Sequence, residues 1–194
     1  MSPTLDHRKR PALRRRPFVV WVALLVAGLT WAAGELAAAD HPPTDAQVKA
    51  AFIYRFATFI EEWPAANRPA AEAPITFGYL GDDPVAEAMT NAIPCKIIRG
   101  HPLVIRRCAT LDDLKGCQVL FVSPAEKRNL REVLETAKAL GILTVGDAAH
   151  FTEVGGMINF VPRNNKVHFE INNDNAEQAK IKISSELLKI PKQR

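Results

Sequence analysis

The sequence predicts an α/β fold: one three-layer domain with a largely parallel sheet flanked by helices and an antiparallel hairpin added near the C-terminus. Three observations carry this. Short apolar runs at 75–80, 103–107, 118–122 and 142–145 are separated by helical patterns, and strands alternating with helices imply parallel pairing with both faces covered. Helix punctuation is explicit, with Thr44, Asp83 and Ser123 as N-cap candidates and Gly141 as a stop. Finally, the strand-like runs 157–161 and 166–171 are joined by Pro162-Arg163-Asn164-Asn165, which reads as a hairpin at the sheet edge.

In chain order, Thr44-Asp45-Ala46-Gln47 reads as a capping box. Val48, Ala51, Phe52, Phe56, Phe59, Ile60 and Trp63 then follow at helical spacing until Pro64, a continuous apolar stripe that must pack on something large. Gly81-Asp82-Asp83-Pro84 ends the first strand and starts a helix to about Ala92, with Pro84 at its first position. Ser123-Pro124 with Glu126 reads as the start of a helix running to Leu140, with Leu130, Val133, Leu134 and Ala137 facing inward. The spacing of Ala176, Ala179, Ile183, Leu187 and Ile190 predicts one closing helix over 173–189.

The N-terminus carries a different signal. Arg8, Lys9, Arg10 and Arg14 to Arg16 precede the apolar stretch 18–33, and Ala37-Ala38-Ala39 precedes Asp40, the order of a secretory signal peptide. The sixteen-residue stretch, interrupted by Gly28 and Thr30, is shorter than the roughly 20 residues of a spanning helix. Arg15-Arg16-Pro17-Phe18 also hints at twin-arginine export. The expected organisation is thus a signal peptide at 1–39 and a periplasmic domain at 40–194. The leader takes six of the 25 Lys and Arg and two of the 21 Asp and Glu, leaving 19 of each. The sequence pI near 9.1 therefore resides in the leader, and a neutral domain gives no support to nucleic-acid binding.

Cys95, Cys108 and Cys117 in an oxidising compartment favour one disulfide and one remaining thiol. Cys95 and Cys117 precede neighbouring strands whereas Cys108 follows one, roughly 15–20 Å away along a strand, so Cys95–Cys117 is the expected pair. Asp82, Asp83 and Asp147 follow strands and can gather at the carboxyl edge, where such sheets bind ligands, or hold Mg²⁺. Against this, Asp83 can simply cap a helix and the other two sit in turns. His150 and Glu153, joined by His101 or His168, form a poor zinc signature. Cys117 as a nucleophile competes with a structural thiol entering a buried strand. Arg163, Lys166 and His168 cluster on the hairpin, where they can grip an anion or guard an edge strand against aggregation. Phe56, Phe59 and Trp63 can face a partner, though an aromatic stripe at this spacing is more often core. No Gly-x-Ser-x-Gly, His-Glu-x-x-His or phosphate loop is present.

Four blocks carry a further resemblance: residues 48–60 ending in Trp63-Pro64, Gly155-Gly156-Met157-Ile158-Asn159-Phe160, Val167-His168-Phe169-Glu170-Ile171-Asn172, and Ile183-Ser184-Ser185-Glu186-Leu187-Leu188. In this order, over about 44–190, the chain resembles the YfiR-like periplasmic family. The resemblance implies a single α/β domain with no catalytic activity and no cofactor, regulating an inner-membrane diguanylate cyclase. The reading it supports is a non-catalytic periplasmic regulator that represses such a cyclase by protein contact and so controls cyclic di-GMP signalling. The implied partner is that cyclase or another membrane signalling protein, with a small anionic ligand and a homodimer as further expectations. The alternative is a periplasmic small-molecule sensor with its ligand near Asp82 and Asp147.

Overall fold

The computed structural model describes residues 42–126, 128–163 and 166–190. The expected signal peptide at 1–39 and residues 164–165 of the expected hairpin lie outside them. Helix α1 (Asp45–Thr58) opens on the expected capping box: the Gln47 amide N–H donates to Thr44 Oγ1 at 3.2 Å, and the Thr44 N–H donates to Gln47 Oε1 at 2.9 Å. The helix stops five residues before Trp63, and Ile60–Glu62 continues as a short strand, β1. Strands β2 (Ile75–Leu80), β3 (Ile97–Ile98), β4 (His101–Arg107), β5 (Val119–Val122), β6 (Leu143–Gly146), β7 (Ile158–Arg163) and β8 (Lys166–Ile171) form one sheet in the order β3-β4-β2-β5-β6-β7-β8.

The five strands β4-β2-β5-β6-β7 are parallel, while β3 and β8 close the two edges in antiparallel pairing. Numbered along the chain, the parallel strands lie in the order 2-1-3-4-5, the doubly wound arrangement of flavodoxin-like folds. Two cores follow from strand alternation. In β5, Val119 and Phe121 point into the core shared with α1 and α2 (Pro84–Ala92), while Leu120 and Val122 point to the one shared with α3 (Leu130–Ala139). Phe56 anchors α1 to the hairpin, with ring centroids 4.8 Å from Phe169 and 5.9 Å from Phe160.

Two helix expectations are corrected. The helix expected from Ser123 starts at Leu130, capped by Asn129. Ser123 Oγ instead accepts from the Ala125 N–H, and Glu126 Oε1 accepts from the Arg128 N–H at 2.9 Å, so the capping box closes as a tight turn. The closing helix is also divided, into α4 (Asn173–Gln178) and α5 (Ser185–Lys189), with strand β9 (Lys182–Ile183) between. Lys180 takes a left-handed φ of 59°, turning the chain so that Ile183 pairs with Ile60 on β1. The residues of the expected stripe up to Leu187 are buried as anticipated, but by three elements instead of one; Ile190 is exposed.

Candidate functional site

In a sheet of this order the crevice for a ligand opens at the carboxyl ends of β2 and β5, where the winding direction changes. Here that crevice is occupied by the chain itself. Gly81, at φ +78°, lies under the turn 123–126, and a Cβ at this position would come within 3.0 Å of the Glu126 nitrogen and of Ser123 Cβ. Only glycine fits this approach.

The three carboxylates expected at this edge each have a partner of their own. Asp83 Oδ1 accepts the Val85 and Ala86 N–H groups at 2.7 and 3.0 Å and caps α2. Asp82 makes a two-point contact with Arg107, from Nε at 3.1 Å and Nη2 at 2.6 Å, on the open surface. Asp147 meets Lys49 Nζ of α1 at 2.5 Å, and both side chains are about four-fifths buried. The Lys49 ammonium also sits 5.8 Å from the centre of the Phe160 ring. Asp82 and Asp147 follow strands two places apart, about 10 Å at the usual strand spacing. Among the described residues no three His, Cys, Asp or Glu side chains converge as metal ligands. His150 pairs with Glu153 at 2.9 Å in the open, His101 binds the Ala73 carbonyl at the far edge, and His168 lies on β8.

The hairpin does bring its candidates together. Val161 pairs with His168 and Arg163 with Lys166, so Arg163, Lys166 and His168 share one face of the sheet, opposite Phe160 and Phe169. All three are exposed, and none takes part in an ion pair among the described residues. Further along this face Glu170 accepts the Thr152 hydroxyl at 2.7 Å, so the nearest carboxylate is already engaged. Phe56 and Trp63, by contrast, belong to the core.

The sequence reading missed a polar clamp built from Asn159, Glu170, Asn172 and Asn175. Asn159 exchanges hydrogen bonds with the Ala148 backbone at 3.0 and 3.3 Å, and Asn175 Nδ2 donates to the carbonyls of Thr152 and Gly156 at 3.1 and 2.8 Å. Together they pin the 148–156 connection over the sheet. Its signal was Asn159, a buried amide inside an apolar strand, which must find partners.

The cysteines are arranged differently from the expected pairing. Cys95 is exposed beyond α2, whereas Cys117 and Cys108 are buried beside one another under β2. The strand-length separation holds only if the connection runs along the sheet edge. Residues 108–117 instead carry a single 3₁₀ turn (Asp112–Leu114) and no α-helix, so this short crossover folds directly across the sheet face at Gly78, where no side chain holds it away.

Fold and surface define a class: a doubly wound α/β domain with a clamped crossover on one face and a cationic hairpin at its edge. The chain belongs to the DUF4154 family, described as YfiR/HmsC-like, whose model matches residues 46–192. Members of YfiR type are periplasmic regulators, not catalysts, and the family suggests regulation of diguanylate cyclase signalling and interaction with a membrane signalling protein. Among solved structures, a conserved domain protein from Vibrio cholerae O1 biovar El Tor strain N16961 is similar over 74% of this chain and 57% of its own, at 12% identity and a TM-score of 0.47. MppP soaked with the product 2-ketoarginine is similar over 90% of this chain and 63% of its own, at 14% identity and a TM-score of 0.32. The chain thus spans less than two-thirds of either neighbour. No curated protein matches it. Among the described residues, no helix is long and apolar enough to cross a membrane.

Proposed function

We propose that this protein is exported, loses residues 1–39, and represses a membrane-bound diguanylate cyclase from the periplasm by direct contact, without catalysis. The observation that carries the proposal is the hairpin face. Arg163, Lys166 and His168 project together from an edge strand, exposed and without a described ion-pair partner, while the carboxylates at the sheet edge are engaged internally. Such a surface favours an acidic segment of a partner, and electrostatic complementarity there sets specificity and encounter rate. Repression then requires that the protein bind the inactive state of the cyclase more tightly than the active one.

A second reading, a small-molecule sensor, has one feature in its favour. A cleft of about 220 Å³ between the end of α1 and the β3–β4 edge is lined by Trp63 and Ile98 with Arg68, Arg99, Glu61 and Glu62, a lining of both charges suited to a small zwitterion with an apolar part. It does not include Asp82 or Asp147, the positions the sequence offered for a ligand in the alternative reading.

The test is cyclic di-GMP measured in a strain lacking the gene. Deletion is expected to raise it, and the full chain to restore it. Neither a leaderless copy nor a full chain carrying R163E, K166E and H168E together is expected to do so, provided the variant melts like wild type. No rise on deletion, or rescue by the leaderless copy, overturns the repressor reading; rescue by the charge-reversed chain moves the contact off the hairpin. A thermal shift produced by small zwitterions such as amino acids and lost in R99E would favour the sensor.

A further inference from the structure

Gly78 lies in the middle of β2, and its missing side chain leaves a gap on the face covered by the 108–117 crossover. A Cβ built at Gly78 would come within 2.9 Å of the Cys117 sulphur and 3.0 Å of the Cys108 sulphur, so the two thiols converge on one point. Both sulphurs lie 3.7 Å from the same acceptor, the Asp113 carbonyl oxygen. The crossover is held in this shape from two directions: Asp113 Oδ2 accepts the Ala109 and Thr110 N–H groups at 2.8 and 2.7 Å, and Arg106 donates to the Asp113 and Lys115 carbonyls at 3.2 and 3.1 Å. Cys108 and Cys117 are 3% and 0% exposed, whereas Cys95 stands in solvent.

We propose that Cys108 and Cys117 are the disulfide-forming pair of this protein, closing the crossover over Gly78, and that Cys95 is the remaining free thiol. The inference rests on geometry and holds for the domain in any oxidising environment; that it forms in the cell rests on the export reading.

The chemistry follows from the same contacts. Cys108 donates its S–H to Cys117, which holds the Cys117 thiol below and the Cys108 thiol above the ordinary thiol range; Arg106 adds to the effect on Cys117. With the crossover still open, the thiolate of one of the two cysteines attacks the disulfide oxidant, taken here as oxidised glutathione, forming a mixed disulfide and releasing one glutathione thiolate. The other cysteine then gives up its proton and attacks the protein sulphur of the mixed disulfide, releasing the second glutathione. Two protein thiols are oxidised to one disulfide, and one glutathione disulfide is reduced to two thiols. Because both cysteines are buried in the finished fold, exchange runs while the crossover is still open, and the closed bond is afterwards shielded from reductant. The cross-link removes freedom from the unfolded crossover, which carries no helix to stabilise it.

The test is direct because the sequence places cleavage sites between the cysteines. The full chain is reduced, unfolded, refolded in a glutathione redox buffer, alkylated and digested with trypsin. The expected product links the peptide 108–115 to the peptide 116–127, with the alkyl label on Cys95 in the peptide 56–96. A C95S chain is expected to give the same cross-link, and a C108S/C117S chain to unfold at the lower denaturant midpoint of the reduced wild type. A bond that includes Cys95, or label on both Cys108 and Cys117, overturns the pairing. The same map made on protein drawn from cells separates the two readings: a bond formed in the refolding buffer but absent in the cell counts against export and leaves the pairing standing.

Discussion

The ring of Phe151 fills the space in which Gly156 would carry a side chain. A Cβ at Gly156, or at Gly146 on β6, would overlap the ring, which is fully buried against the α3 side of the sheet. The two glycines form the walls of a slot for one aromatic side chain, and the clamp of Asn159 and Asn175 holds the slot closed.

Gly156→Ala should therefore act as an overpacking change. Since the backbone oxygen of Phe151 is also within 2.7 Å of the new carbon, relief requires the whole 148–156 connection to move. We expect a loss of about 1–3 kcal/mol or more. Urea denaturation of the purified variant measures it, and an unchanged midpoint would contradict the packing described.

Trp63 is 9% exposed and belongs to the core that α1 shares with the sheet. Trp63→Ala should cost about 3–5 kcal/mol, as large aromatic truncations in cores do. A partner-facing role would leave the denaturation midpoint in place and weaken only complex formation, so the two measurements on one variant decide the matter.

The Lys49–Asp147 pair ties α1 to the carboxyl end of β6 across 98 positions of sequence. Being mostly buried, it should couple more strongly than the exposed contacts of Lys182 with Glu61 and Glu62. A double-mutant cycle with Lys49→Met and Asp147→Asn is expected to give about 1 kcal/mol or more. A coupling near zero would mean that α1 is held by its apolar face alone.

Asp113 should titrate below the ordinary carboxylate value of about 3.9. Its backbone hydrogen bond from Thr110, joined by the Thr110 hydroxyl and the Ala109 N–H, favours the ionised form. The sign follows: a folded-state value below the unfolded one contributes stability that is present above the unfolded value and lost as pH falls through the folded one. The carboxyl carbon resonance of Asp113, followed by NMR, should show a depressed midpoint. A midpoint at the ordinary value would mean that the cap does not form in solution.

Charge reversal on the hairpin is the complementary case. Arg163, Lys166 and His168 make no described ion pair, so the triple variant should keep its melting temperature while losing its partner. Circular dichroism melts beside a binding measurement test this, and a large drop in stability would assign the face a structural role.

Local chemistry determined much of this protein. The Thr44 box, the Asp83 cap with Pro84, and the strands at 75–80 and 166–171 all depend on near neighbours, so they were legible residue by residue. So was the face shared by Arg163, Lys166 and His168, because alternation along a strand is a local rule. Tertiary structure decided what depends on distant partners. Ser123 and Glu126 carry a valid helix signal, yet the approach of Gly81 from β2 and the use of Glu126 by Arg128 make it a turn. The stripe over 176–187 fits one helix, but pairing with β1 draws Lys182–Ile183 out as a strand. The cysteine arrangement turned on an absence: with no side chain at Gly78, a crossover without an α-helix lies against the sheet and brings Cys108 to Cys117. Periodicity reports which residues must be buried, whereas the element that buries them, and the neighbour each one meets, is set by packing between segments far apart in the chain.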